Sequence, residues 1–330
     1  MRRITIQNAA IAFSLLLAIP TPTSRAQAPA VLAKGTVIVT LGTGGGPRPR
    51  VDRSQSANLL LVNGTPYLID AGENVVRRLV QAGIDFNAIG HIFITHGHSD
   101  HTLGLPALMA TQWEFQRREP VQIIGPPGTE TFVKGALAFL STNSDIRSAE
   151  GNPSPISALF SAHDTQPGLI YKDANVTVTA VENSHFHFPP LSPAFGKYKS
   201  YAYRFATPDR VVVYTGDTGP SDAVAELAKG ADVLVSEIHA VDELVALYKR
   251  TGVWQAKTAE EQAGWLKHQN DEHLSPEAVA ALASKAGVKA VILTHFTPSG
   301  IPNDDYERLA IAVRKGFAGD VRVAKDLARF

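Results

Sequence analysis

The segment Thr95-His96-Gly97-His98-Ser99-Asp100-His101 concentrates metal-binding chemistry: three imidazoles and one carboxylate fall within six consecutive positions. A strand alternates its side chains between two faces and a helix brings round every third or fourth residue, so neither turns all four donors inward. A loop can curl them about a pair of ions, and imidazole with carboxylate suits Zn²⁺. The 330 residues contain no cysteine, which removes thiolate zinc sites, iron–sulfur clusters, disulfides and cysteine nucleophiles together. Eleven histidines are left for any metal chemistry. Two other chemistries fail on spacing. No Gly-x-Ser-x-Gly supports a serine hydrolase. The run Gly42-Thr43-Gly44-Gly45-Gly46-Pro47 has Pro47 where a dinucleotide fingerprint needs glycine, and no Gly-Lys-Ser/Thr follows as in a phosphate loop. That run reads instead as a tight turn beside the metal site.

Positioning the cluster falls to a short apolar strand over 91–95, followed by a helix over 103–117 interrupted early by Pro106. Upstream, alternation predicts strands over 35–41, 58–62 and 67–70, the last two joined at Asn63-Gly64, a strong hairpin turn. A helical pattern over 73–82 stops at Gly83. In the second half, strands over 176–181, 201–205, 211–215, 233–236 and 291–294 alternate with helices over 221–229, 242–249, 275–286 and 304–315. The stretch 141–168 is rich in Ser, Pro and Gly and reads as a long variable loop. Two β-rich halves with helices between them make an α/β fold, and no linker divides 29–330 into separate domains.

Thr95-His96-x-His98-x-Asp100-His101 resembles the signature of the metallo-β-lactamase superfamily, and later landmarks follow in that family's order. They are His185, Asp217 in Tyr214-Thr215-Gly216-Asp217-Thr218, and His295 in Leu293-Thr294-His295-Phe296. Asp70, in Leu68-Ile69-Asp70-Ala71-Gly72, resembles the aspartate this superfamily keeps behind its metal ligands. The resemblance runs from Val37 to the C-terminus and implies an αββα four-layer sandwich, the metallo-β-lactamase fold. Within the superfamily the chain is most similar to the ribonuclease Z and arylsulfatase-like branch. Leu41 to Pro47 with Arg53, Ser236-Glu237-Ile238-His239, and His273-Leu274-Ser275-Pro276 carry that similarity.

Carried over by position, the resemblance implies that His96, His98 and His185 hold one Zn²⁺. Asp100, His101 and His295 would hold a second, with Asp217 bridging the two. His187 competes with His185, being two residues on and on the same strand face. Glu237 and His273 are either a proton-delivering pair or a structural hydrogen-bonded pair. His91, His163 and His268 receive no role.

The implied enzyme is a dinuclear zinc hydrolase whose two ions, about 3.5–4 Å apart, share a hydroxide. Two ions, two carboxylates and a hydroxide leave a net positive site, which suits an anionic ester such as a phosphodiester or an aryl sulfate. His273, oriented by Glu237, would be the general acid, and Asp100 would help position the hydroxide. A lactone is the alternative substrate, since the same ions can act on an acyl carbon. Processing of transfer RNA 3′ ends is disfavoured on two grounds. The branch's RNA-gripping arm belongs between the positions of His185 and Asp217, where only 31 residues lie and two strands take most of them. Gripping RNA also needs several cationic phosphate contacts, yet Lys+Arg 31 balances Asp+Glu 31. The full donor set disfavours a non-catalytic zinc module. Phe186, Phe188, Phe195, Tyr198, Tyr201 and Tyr203 form either a leaving-group pocket or the core packing of the following strand.

Residues 1–28 read as a signal peptide: Arg2-Arg3, an apolar run over 9–19 broken by Ser14, and a small-x-small end at Ala26-Gln27-Ala28. The run has 11 residues, against about 20 needed to span a bilayer. The expectation is a periplasmic or secreted catalytic domain over 29–330 with no membrane anchor. Its partner would be a small anionic ester and not nucleic acid, and a homodimer is left open.

Overall fold

The computed structural model describes residues 34–151, 154–298 and 305–330, so the signal-peptide reading lies outside the described residues. One sheet contains β1 (Thr36–Gly42), β2 (Ala57–Val62), β3 (Thr65–Ile69), β4 (His91–Phe93), β5 (Val121–Gly125) and β6 (Phe160–Asp164). The other contains β7 (Gly168–Lys172), β8 (Thr177–Glu182), β9 (Tyr201–Ala206), β10 (Val211–Tyr214), β11 (Val233–His239), β12 (Ala290–Thr297) and β13 (Asp320–Val323). The chain then returns through β14 (Ala328–Arg329) to the first sheet, beside β1. Strand order is β14-β1-β2-β3-β4-β5-β6 and β13-β12-β11-β10-β9-β8-β7. In each sheet an antiparallel half passes into a parallel half, at β3 in the first and at β10 in the second.

Alternation along β1 shows how the layers form. Ile38 enters the core between the sheets with Leu60, Phe93, Tyr203 and Phe205. Its neighbours Val39 and Leu41 point the other way, to helix residues Leu79, Leu108 and Val133. On the far side, Val224, Val279 and Val313 bring three helices onto Leu234 and Leu293 of the second sheet. The result is the α/β four-layer αββα sandwich of the metallo-β-lactamase fold. A fully buried Val, Leu, Ile or Phe contributes about 1.5–3 kcal/mol. Strands covered on both faces therefore lose their polar alternation, and β11 is buried at all seven positions.

The stretch 141–168 is not a loop. It contains the helix Ser141–Ala149 and strand β6, which pairs in parallel with β5. That helix buries no residue and β6 is an exposed edge strand, so neither has an apolar stripe to read. The helix Ala259–Glu272 likewise lies outside the elements expected from periodicity, since Gln269 is its one buried residue. Its start is nevertheless legible, because Thr258 and Glu261 form a capping box. Ser221 caps the helix Asp222–Leu227 by accepting from the Val224 amide.

Candidate metal centre

The donors sit on turns at strand ends. After β4 the chain passes through His96 and His98 into a one-turn helix, Ser99–Thr102, which carries Asp100 and His101. His185 follows β8, Asp217 follows β10, and His295 lies within β12. The register between β11 and β12 slips at Glu237/Ile238, leaving His295 unpaired with a φ of 47°. A bulge of this kind re-aims a side chain, and here it turns the imidazole to the other donors.

Two groups result. His98 Nδ1 lies 3.1 Å from both His96 Nε2 and His185 Nε2. In the second group, His101 Nε2 and His295 Nε2 are 3.2 Å apart and lie 3.3 and 3.2 Å from Asp217 Oδ1. Asp100 Oδ2 is 3.2 Å from His295 Nε2. The other oxygen of Asp217, Oδ2, is 4.0 Å from His96 Nε2 and from His185 Nε2, so this carboxylate faces both groups. Separations of about 3.3 Å match the edge of a tetrahedron whose ligands lie about 2.0–2.1 Å from a central ion. His187 is half exposed and lies 3.9 Å from Glu272, so the fold brings His185 and not His187 to the cluster.

Partners outside the cluster fix these rings. His101 Nδ1 lies 2.8 Å from Asp70 Oδ2, and Asp70 in turn accepts from the Thr95 amide at 2.8 Å. His185 Nδ1 donates to the Glu272 carbonyl at 3.0 Å. In both cases the opposite ring nitrogen faces inward. The glycine run closes the edge: the Gly46 amide donates to Asp100 Oδ2 at 2.8 Å. A Cβ on Gly45 would stand 2.5 Å from His295 Nδ1, so only glycine passes there without displacement.

The protonation states of most donors agree with metal binding. His101 differs: Asp217, Asp70 and Asp100 outweigh burial and raise its pKa well above the ordinary value, so it would give up a proton to a metal. Burial drives the His96 imidazole well below its ordinary pKa and the His185 imidazole to about 3, which keeps both neutral. Burial opposes ionisation of Asp100 and Asp217, but His101 and His295 outweigh it and hold both carboxyls well below their usual range. Neutral imidazoles and ionised carboxylates are the ligating forms. Asp217 Oδ1 is buried and accepts no hydrogen bond among the described residues. An anionic oxygen left in this way is costly unless a cation meets it. The donor set fits a divalent metal ion.

Beside the cluster, His273 Nδ1 lies 2.9 Å from Glu237 Oε2. Burial alone would lower the His273 pKa, but the Glu237 carboxylate and then Asp217 raise it to about 9. His239 receives no role of its own from the Ser236-Glu237-Ile238-His239 motif. It is 1% exposed, stacks on His273 at 4.8 Å and 18°, and has no hydrogen-bond partner for either ring nitrogen among the described residues. Its signal was position: two residues after Glu237 on one strand, it shares that residue's face. The remaining histidines are not among the donors: His91 meets the Tyr171 hydroxyl at 2.8 Å, His268 meets Glu272 at 2.9 Å while lining the cavity above the donors, and His163 is exposed.

A cavity of about 480 Å³ lies above the donors, lined by Arg48, His239, Leu247, Tyr248, Trp265 and His273 among others. Of the aromatic stretch after His185, Phe186, Phe188 and Tyr198 line a second cavity of about 360 Å³. Tyr201 and Tyr203 are fully buried in the core, and Phe195 is exposed.

The profile of the beta-lactamase superfamily domain matches residues 65–296. A protein named ribonuclease Z from Mycobacterium sp. (strain KMS) is 31% identical over 294 residues, covering 88% of this chain and 94% of that protein. A ribonuclease Z from Methanosarcina mazei is 30% identical over 316 residues, covering 88% of this chain and 96% of its own length. Among solved structures, the metallo-β-lactamase fold protein YhfI from Bacillus subtilis has a TM-score of 0.62 at 19% identity, covering 89% of this chain and 98% of that one. Human tRNase Z, short form, has a TM-score of 0.61 at 21% identity with the same coverage. These two show the fold. The chain belongs to the metallo-β-lactamase superfamily, in its ribonuclease Z branch, and is a metal-dependent hydrolase.

Proposed function

We propose that the chain is a dinuclear zinc hydrolase of small anionic esters, phosphodiesters foremost and aryl sulfates next. The observation that carries this reading is Asp217, whose two oxygens face two separate donor groups. His96, His98 and His185 would hold one ion, Asp100, His101 and His295 the other, and Asp217 would bridge. When bound, two such ions supply Lewis acidity and lower the pKa of water towards neutrality. The protein's own groups do the rest. Asp100 is held by the Gly46 amide with one oxygen towards the cluster and helps position the attacking water. His273 carries a proton under the control of Glu237 and delivers it to the leaving oxygen.

Substrate size follows from what surrounds the site. The helices Val241–Arg250 and Ala259–Glu272 overhang the cavity with Leu247, Tyr248 and Trp265, which suits a compact organic group. Among the described residues, the segment between β8 and β9 contains no helix or strand that could serve as an RNA-gripping arm. Cleavage of RNA phosphodiesters is the second reading, supported by relatives named ribonuclease Z at 30% and 31% identity.

Zinc-loaded protein assayed on bis(nitrophenyl) phosphate, nitrophenyl sulfate, an acyl lactone and a precursor transfer RNA separates these readings. Turnover on the phosphodiester, with about two zincs per chain by elemental analysis, is the expected result. Turnover confined to lactone or RNA would replace the proposal. We also propose export, with a mature N-terminus at Pro29 read by terminal sequencing of secreted protein; an intact Met1 on active cytoplasmic protein would overturn it.

A further inference from the structure

His98 lines two cavities. On one side lies the space of about 480 Å³ beneath the helical overhang, with Leu247, Tyr248 and Trp265. On the other lies the space of about 360 Å³ bounded by Phe132, Phe186, Phe188 and Tyr198. Phe186 and Phe188 rings are 4.8 Å apart, and Phe186 also meets the His98 ring at 5.3 Å, so this second pocket begins at the donors. A monoester has one organic arm and needs one such pocket. A diester has two, diverging from a single phosphorus.

The two sides differ in one chemical respect. His273 and His239 line the overhung cavity and neither lines the other. The cation of the aromatic pocket, Lys199, is tied to Glu182 at 2.5 Å. The imidazole of His273, held by Glu237, therefore stands on the overhung side alone.

We infer that the two arms of a phosphodiester divide at His98, with the leaving arm under the overhang against Tyr248 and Trp265 and the retained arm against Phe186 and Phe188. This rests on the phosphodiesterase reading above and adds the orientation of the substrate. In the step it describes, water oxygen bonds to phosphorus and the bond from phosphorus to the overhang-side oxygen breaks. That oxygen keeps the electron pair and takes the His273 proton; the proton lost by water passes to solvent, which recharges His273. The products are one alcohol and one phosphate monoester. The aromatic stretch after His185 thus selects the arm that stays, and the overhang selects the arm that goes.

Two series of unsymmetrical diesters test the division on zinc-loaded protein. In the first, the retained arm is methyl and the leaving arm grows from phenyl to naphthyl. In the second, the leaving arm is nitrophenyl and the retained arm grows from methyl to phenyl. Trp265→Ala should remove about tenfold of the preference for naphthyl over phenyl in the first series, the scale of one lost apolar contact. It should lower every member of the second series by one common factor. Phe188→Ala should do the reverse. Exchange of these two patterns would overturn the orientation, and identical responses of both variants in both series would overturn the division. Failure of the unmodified protein to turn over any diester would remove the phosphodiesterase reading and this inference with it. Trp265→Leu and Phe188→Leu repeat the test if an alanine variant fails to fold. Binding without turnover gives a second readout. Naphthol alone should quench tryptophan fluorescence in the unmodified protein and in Phe188→Ala, but much less in Trp265→Ala; equal quenching in all three would contradict the placement of the leaving arm.

Discussion

Six of the seven donors are buried, His98 being the exception, whereas the helices that overhang them, Val241–Arg250 and Ala259–Glu272, bury Gln269 alone. The donors stand at or just beyond the ends of strands shared with the central cores, His295 within one, and Asp70, Thr95 and Glu272 tie their rings from behind. Apart from Glu272, whose carbonyl ties the end of the second helix to the His185 ring, the overhang is held by contacts near the surface. Tyr248 and Trp254 pack on Trp265 at 5.2 and 5.6 Å, and Glu243 pairs with Arg308. A site of the first kind keeps its geometry because moving it would open the core. A segment of the second kind can change without the fold changing, because few buried contacts oppose it. Metal binding is thus a property of the core, and substrate choice a property of what overhangs it.

Removing the bridge should break the comparison most severely. Asp217→Ala is expected to lower turnover by more than the roughly 10²–10³-fold typical of one lost electrostatic donor, because both groups lose a ligand. Elemental analysis should find metal lost from both groups, with the circular dichroism of the sheets retained. Full metal content in this variant would remove the bridging role.

His273 lies at the boundary between the two regions and separates binding from proton delivery. His273→Ala should lose about 10²–10⁴-fold on alkyl esters and far less on nitrophenyl esters, whose leaving group departs without a proton. The acid form is required and its pKa is raised to about 9, so the rate on alkyl esters should fall as pH rises through that value. Glu237→Gln removes the stabilising carboxylate, lowers the pKa of His273 and should move this alkaline limb to lower pH. A limb that stays in place would show that Glu237 does not control the proton.

A smaller effect is expected at the glycine run. Gly45→Ala places a Cβ against His295 Nδ1 and Thr297 Oγ1, at 2.5 and 2.6 Å. Relief of such crowding costs roughly 1–3 kcal/mol, so melting temperature and affinity for the second metal should both fall, measured by calorimetry and by chelator competition. The smallest effect sharpens the contrast from the other side. Thr258→Ala removes a capping box worth about 1 kcal/mol. Amide exchange should quicken across Ala259–Glu272, while metal content and exchange in β4 and β12 stay unchanged. Faster exchange throughout would mean that the overhang and the core unfold together.

Much of this protein is legible in its amino-acid sequence. Histidine and aspartate types with their short spacing name the chemistry, since few other arrangements place four such donors in six residues. The apolar strands β4, β10 and β12 are readable for the same reason that they are stable: both faces are covered, so their sequence is nearly all apolar. Helix ends marked by Ser221 and Ser275 are readable because a capping side chain bonds locally. The helices Ser141–Ala149 and Ala259–Glu272 escape a reading by periodicity, having almost nothing buried to impose a period.

What spacing could not give is any relation between residues far apart in the chain. His185 and His187 share a residue type and a spacing that would put both on one face of a strand, but both lie beyond the end of β8, and only packing against His98 and the Glu272 carbonyl distinguishes them. His295 reaches the site through a bulge defined by the register of β11 against β12, a pairing that neither strand encodes alone. His239 becomes part of the site by stacking on a ring 34 positions away. Residue type is a local property and fixes which chemistry is available. The distances that make it a site are sums over two sheets and the loops between them, and only the folded chain sets those.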